Sequence, residues 1–206
     1  MNFRHAIWIR TPKIGGTSVD ASLRDHLMLN SDGGEFHFET CPPEGFYFAD
    51  EKIFCLGANT AHELGTLSRT HPRVWDEAFK FAVVRNPYDR FVSGWKYLHS
   101  TREMSLDHLL SNLPAQGPDH VHLTMRQWDF LNIDGQFPDI HLLRFEELQN
   151  GLDELCDLLG IEKRKLEVLN KTPGERLHYM DYFSQQHRAT VADRYRLDFE
   201  TFGYEA

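Results

Sequence analysis

The sequence predicts an α/β fold in three layers, a central mostly parallel sheet flanked by helices. Two observations carry this. Short apolar runs alternate with segments of helical period along the whole chain. One of those runs, "FKFAVVR" at 79 to 85, is nearly all apolar, as expected of a strand buried on both faces. At 206 residues and 41% hydrophobic content, the chain suits one well-buried domain over residues 1–206 and is a poor fit to two.

The elements follow in order. Residues 5 to 10 form the first strand, and Thr17 to about Leu29 a helix, because Val19, Leu23 and Leu27 recur at helical spacing. Residues 31 to 50 mix Gly, Pro and aromatics and read as an irregular excursion. "KIFCLGA" (52 to 58) is the second strand, followed by a loop and a short helix in "NTAHELGTLS". After the strand at 79 to 85, a helix begins at Pro87, the favoured first-turn position, and buries Phe91, Trp95 and Leu98. Residues 101 to 131 are amphipathic and helical but broken by Pro114, Gly117 and Pro118. "DIHLLRF" (139 to 145) is a strand, and "EELQNGLDELCDLLG" a helix ending at Gly160, a common C-terminal cap. Residues 170 to 184 are a polar and aromatic loop, and "HRATVADRYRLDFETFGY" is a last helix with a tail.

Composition excludes several classes. A net charge of −9 removes a global basic field for nucleic acid, so an anion must be held by a local cluster. Screening over about 8 Å makes that placement decisive. No apolar run approaches the roughly 18 residues of a membrane span. The start, "MNFRHAIWIR", lacks the apolar core and cleavage site of a signal peptide, so the expected location is cytoplasmic. Cys41, Cys55 and Cys156 form no CxxC pair and are read as reduced, with neither a zinc site nor a disulfide framework indicated.

Between the first strand and helix lies "TPKIGGTS". Its glycines allow close backbone approach, and Gly15, Gly16, Thr17 and Ser18 offer N–H groups and hydroxyls at a helix N-terminus. Two readings stand here: an anion site, or an ordinary tight turn capped by Thr17 or Ser18. Triphosphatase loops place Lys after the last Gly; here Lys13 precedes both. A second motif, "FAVVRNPYDRFVSGWKYL", puts Arg85 at the carboxyl end of the buried strand, where ligands of open α/β sheets bind. Arg is the bidentate phosphate binder. Ser93 follows two turns into the next helix, and Arg90 is a third cation, for which a surface salt bridge is an equal reading. Two anion sites at neighbouring strand ends fit a nucleotide phosphorylated at both ends of its ribose.

"PKIGGTS" together with "FKFAVVRNPYDRFVSGWKYL" resembles the sulfotransferases that use 3′-phosphoadenosine 5′-phosphosulfate, and in particular the carbohydrate-type branch with Golgi and bacterial members. "LLRFEELQNGLDELCDLLGI", "LNKT" and "DFETFGY" continue that resemblance, which is weakest at 30 to 50 and 101 to 138. It implies a P-loop-like fold related to nucleotide kinases. It implies that Lys13, Gly15, Gly16, Thr17 and Ser18 hold the 5′-phosphosulfate, and that Arg85 and Ser93 hold the 3′-phosphate. The donor would be 3′-phosphoadenosine 5′-phosphosulfate, the product adenosine 3′,5′-bisphosphate, and no metal is expected. Golgi members carry a membrane anchor and stem that this chain lacks, so a cytosolic, bacterial enzyme is expected. A sulfuryl donor has a phosphate leaving group, and Lys13 would neutralise the charge developing on the oxygen between sulfur and phosphorus.

A hydroxyl acceptor needs a base. His62 follows the second strand on the side of the Lys13 loop and Arg85, a region where related carbohydrate sulfotransferases place a His or Glu. Glu63 is the adjacent alternative, and a helix cap or packing role for His62 the structural one; His99, His37 and Glu39 are weaker candidates. Lys171 and Thr172 lie in a loop that could close on the 3′-phosphate. Arg126 and Gln127 read as ligand contacts or surface residues, Arg144 and Glu146 as a structural ion pair, and Tyr179, Tyr182 and Phe183 as sugar-stacking or packing groups. The leading function is sulfuryl transfer to a hydroxyl of a saccharide or glycoconjugate. The alternatives are a nucleotide or small-molecule kinase, or a non-catalytic nucleotide-binding protein.

Overall fold

A computed structural model describes residues 5–28, 52–56, 64–102, 104–167, 169 and 177–206. Its centre is β1 (His5–Ile9), whose alternate side chains enter two different cores. Ile7 and Ile9 join one, Ala6 and Trp8 the other, as the two-residue period of a strand requires. Helix α1 (Gly16–Leu23) ends earlier than its apolar spacing suggests, and Leu27 and Met28 form the edge strand β2. Leu27 keeps the helical interval from Leu23, but it pairs with Ile53 of β3 (Lys52–Leu56) instead, so pairing overrides periodicity.

Helices α2 (Leu64–Thr70) and α3 (Pro72–Glu77) lead to β4 (Phe79–Val84), and α4 (Pro87–Arg102) starts at the expected proline. The broken segment resolves into α5 (Leu106–Ser111), a single turn α6 (Gly117–Asp119) running into a π-helical turn at His120–Thr124, and α7 (Gln127–Leu131). Strand β5 (His141–Arg144) passes through a 3₁₀ turn into α8 (Leu148–Leu159). Gly160 closes α8 in the left-handed conformation, with φ 71°. The expected last helix is two: α9 (Gln185–Arg194) and α10 (Arg196–Phe202), separated at Tyr195, whose buried hydroxyl donates to the Leu123 carbonyl.

Among the described residues the sheet has five strands in the order β2-β3-β1-β4-β5, and every pairing is parallel. Helices α1 and α8 pack on one face through Val19, Leu23, Leu152 and Leu155. Helices α2, α3, α7 and α10 cover the other through Leu67, Val74, Phe130 and Phe202. A third cluster, Phe91, Leu109, Phe183, Tyr195 and Phe199 among them, joins α4 to α5, α9 and α10. Phe183 therefore packs, while Tyr179 and Tyr182 lie in a 3₁₀ turn packed against the same cluster. The three layers expected from sequence are present. From β1 the chain crosses to the edge at β2 and returns through β3 beside β1, then crosses to β4 and on to the other edge at β5. The order reverses between β1 and β4, and ligands of open α/β sheets bind at the carboxyl ends of strands at such a reversal.

Candidate active site

The loop after β1 is set by buried anchors on both sides of Lys13. Thr11 is buried and its hydroxyl donates to the Val83 carbonyl of β4 at 3.4 Å, and Ile14 is fully buried. Lys13 itself takes φ 66°, uncommon for a residue with a Cβ, and Gly15 takes φ 79°. A Cβ on Gly15 would come within 2.9 Å of the Phe145 ring, so glycine serves both the turn and the close approach. Gly15 is also the N-cap of α1 and no side chain caps that end. The reading in which Thr17 or Ser18 caps an ordinary turn is thereby corrected. The Gly15 carbonyl accepts the N–H groups of Ser18 and Val19 at 2.9 and 3.3 Å, and the earlier N–H groups begin a helix with no intrahelical acceptor.

Two buried arginines reach this loop from β4 and α4. Arg85 donates through Nη1 to the Lys13 carbonyl at 3.0 Å, and Arg90 through Nε to the Pro12 carbonyl at 3.0 Å. Arg90 also donates to the Met125 carbonyl at 2.9 Å and is 2% exposed, so the surface salt bridge considered for it is not its role. The Arg85 guanidinium stacks 3.9 Å from the Phe145 ring centroid and pairs with Asp89, with Nε and Nη2 at 2.9 and 2.8 Å from the same carboxylate oxygen. The sequence reading has Arg85 as a bidentate fork for phosphate. The structure instead commits much of that fork to Asp89 and to the loop backbone. Pulling two consecutive loop carbonyls onto guanidiniums fixes the peptide planes of the loop and leaves positive charge behind it.

Gln127, fully buried at the start of α7, clamps the Arg85 backbone: its Oε1 accepts from the Arg85 N–H at 2.8 Å and its Nε2 donates to the Arg85 carbonyl at 2.9 Å. Asp198, also fully buried, accepts from the N–H groups of Gln127 and Trp128 at 2.9 and 2.8 Å. Burial pushes the Asp198 carboxyl up, partly offset by Arg90 and by those two hydrogen bonds. Arg126, by contrast, pairs with Asp129 two residues into its helix. Arg144 does not pair with Glu146 as expected. It donates to the Phe202 carbonyl and stacks on Tyr204, whose hydroxyl donates to Glu146.

The Lys13 ammonium lies 4.4 Å from the Tyr97 ring centroid. Burial, then Arg85 and Arg90, lower its pKa to about 8. Among the described residues no carboxylate pairs with it. Ser93, eight residues after Arg85 on α4, is half-buried, and among the described residues its hydroxyl has no hydrogen-bond partner. Ser18 Oγ is buried and accepts from the Leu169 N–H at 3.1 Å, which ties residue 169 onto the loop. Lys171 and Thr172, His62 and Glu63, and His37 and Glu39 lie outside the described residues. His99 has its Nδ1 2.9 Å from the Met104 carbonyl and its ring against Trp95.

Sequence reasoning found Lys13, the glycines and Arg85, and the fold brings them together. It missed the Gln127 clamp and Asp198 beneath it, for which no motif gives a signal, and His122, which the structure sets beside Tyr97. Among the described residues no group of three or more His, Cys, Asp or Glu could hold a metal ion, and no helix is long and apolar enough to cross a membrane.

A parallel sheet with a glycine loop after its first strand, facing a cationic strand end across the order reversal, defines an α/β protein of P-loop-like class. A family model described as "Sulfotransferase family" matches residues 3–205. The chain belongs to that sulfotransferase family, and sulfuryl transfer is its general chemistry. No curated protein matches the chain.

Proposed function

We propose that this chain transfers a sulfuryl group from 3′-phosphoadenosine 5′-phosphosulfate to a hydroxyl of a carbohydrate or glycoconjugate by in-line displacement. The observation that carries this reading is the Lys13 ammonium, without a described carboxylate partner, beside a loop whose carbonyls are held from behind by Arg85 and Arg90. Such a mouth suits an anion and leaves the cation available for it. Gly15, Gly16, Thr17 and Ser18 would hold the 5′-phosphosulfate. Arg85, Ser93 and Lys171 would serve the 3′-phosphate, Arg85 doing so while it braces the loop.

The acceptor oxygen attacks sulfur, and the bond from sulfur to the bridging oxygen breaks. That oxygen leaves on the 5′-phosphate of adenosine 3′,5′-bisphosphate, and Lys13 meets its charge. Stabilisation concentrated there lowers the barrier rather than merely tightening binding. The acceptor proton goes to His62, with Glu63 as the alternative base. No metal takes part in this scheme, and no nucleic acid is a partner.

Calorimetry with adenosine 3′,5′-bisphosphate in the presence of a chelator tests the donor, and transfer of labelled sulfate to acceptors tests the reaction. Metal-independent binding followed by transfer is expected. Binding of ATP only with Mg²⁺ would point to a kinase instead, and bisphosphate binding without transfer to any acceptor to a non-catalytic protein.

A further inference from the structure

Beside Lys13 lie one residue of α4 and one of the π-helical turn to which the donor-binding reading gives no role. Tyr97, on the third turn of α4, is 54% exposed, and its ring underlies the Lys13 ammonium at 4.4 Å. His122, in the π-helical turn, lies with its ring centroid 5.9 Å from that of Tyr97, the planes inclined at 40°. Single π-helical turns inside helical segments recur at functional sites. The turn can lie this close to α4 because residue 94 is glycine: a Cβ there would come within 2.7 Å of Leu123 Cδ1 and 3.4 Å of the His122 carbonyl. Gly94 thus lets the segment carrying His122 settle beside Tyr97. His122 is half-buried, and among the described residues neither of its ring nitrogens has a hydrogen-bond partner.

We propose that Tyr97 and His122 form the acceptor subsite, Tyr97 as the platform beneath a pyranose ring and His122 as hydrogen-bond acceptor for one of its hydroxyls. This rests on the sulfotransferase reading above. The chemistry selects the ligand. An exposed aromatic face takes the apolar face of a sugar ring, while a hydroxyl needs an acceptor that the surrounding cations cannot supply. His122 supplies one. Burial, Lys13, Arg90 and Arg10 all disfavour its charged form, and Asp119 opposes them less, so the imidazole stays neutral and keeps a lone pair at pH 7. Tyr97 joins the two halves of the site, since one ring contacts both the Lys13 ammonium and the His122 imidazole.

The test uses the full chain. Affinity for adenosine 3′,5′-bisphosphate is measured first by calorimetry. Sulfate transfer from labelled donor is then measured to methyl glycopyranosides (gluco, galacto and 2-acetamido forms) and to 4-nitrophenol. Transfer to at least one glycoside is expected. Tyr97→Leu should raise KM for that glycoside about tenfold with kcat within about threefold, the signature of lost uniform binding. Tyr97→Phe, which keeps the ring, should remain within about twofold of the parent. His122→Gln should lower kcat/KM about tenfold, and all three variants should bind the bisphosphate within about threefold of the parent, which also reports their folding. An unchanged glycoside KM in Tyr97→Leu overturns the subsite. So does a protein that binds the bisphosphate yet transfers only to 4-nitrophenol or to nothing. A parent that does not bind the bisphosphate overturns the sulfotransferase reading and this inference with it.

Discussion

The two sides of Lys13 are built in opposite ways. On the proposed donor side the loop is fixed from behind: Arg85 and Arg90 hold its carbonyls, Gln127 clamps Arg85, and Asp198 holds the start of the helix that carries Gln127. These four side chains are all at least nine-tenths buried. On the proposed acceptor side, Tyr97 is 54% exposed and His122 half-buried on an irregular turn. The contrast matches what each side must do. A phosphosulfate of constant shape rewards a preorganised cradle, since donors fixed in advance need no reorganisation during reaction. An acceptor surface tolerates a looser wall, because its contacts set which ring is bound rather than where charge develops.

Removing the one cation at the junction should give the largest effect. Lys13→Ala is expected to lower kcat for sulfate transfer by about 10²- to 10³-fold while weakening bisphosphate binding far less, as for loss of a single transition-state donor. Equal losses in both would make Lys13 a binding group only, and the distinction between the two sides of the site would soften.

The next effect is on stability. Arg90→Met keeps the stem but strands the Pro12 and Met125 carbonyls, and should cost about 2 to 4 kcal/mol in denaturant unfolding. Bisphosphate affinity should fall with it, because the loop loses a brace. A variant as stable as the parent would remove the donor side's claim to being preorganised from behind.

A third prediction concerns pH. A ligand anion binds the protonated Lys13, whose pKa is lowered to about 8 by burial and by Arg85 and Arg90. Bisphosphate affinity is therefore full below that value and falls as pH rises through it, levelling off at the affinity of the protein with a neutral Lys13. Lys13→Met should flatten this profile in calorimetry from pH 7 to 9. The smallest expected change is at Ser93, where Ala should weaken bisphosphate binding by roughly fivefold, the worth of one hydrogen bond.

The same contrast governs what the sequence made legible. Lys13, Gly15, Gly16 and Arg85 are readable because topology assigns their place: a loop after a first strand and the last residue of a buried one converge wherever strand order reverses. Strand β4 and the start of α4 at Pro87 are readable for the same local reasons. Gln127 is not, since its clamp depends on α7 being carried across 42 positions to the Arg85 backbone. Nor is the bracing role of Arg90, because a charged residue in an amphipathic helix ordinarily faces water. Sequence gives Arg85 its place at the strand end but not the Asp89 carboxylate one turn on that shares its guanidinium. His122 sits in a segment whose π-helical geometry no apolar period announces. The break at Tyr195 and the edge strand at Leu27 were hidden by the opposite effect, a helical spacing continued past the true end of the helix.

The role proposed for Lys13 requires a cation held among cations and available to an anion. Its side chain can be titrated directly by NMR of the labelled lysine, with and without adenosine 3′,5′-bisphosphate. A pKa near 8 in the unliganded protein, rising when the bisphosphate binds, is the predicted result. An ordinary lysine value that does not move on adding the nucleotide would contradict it.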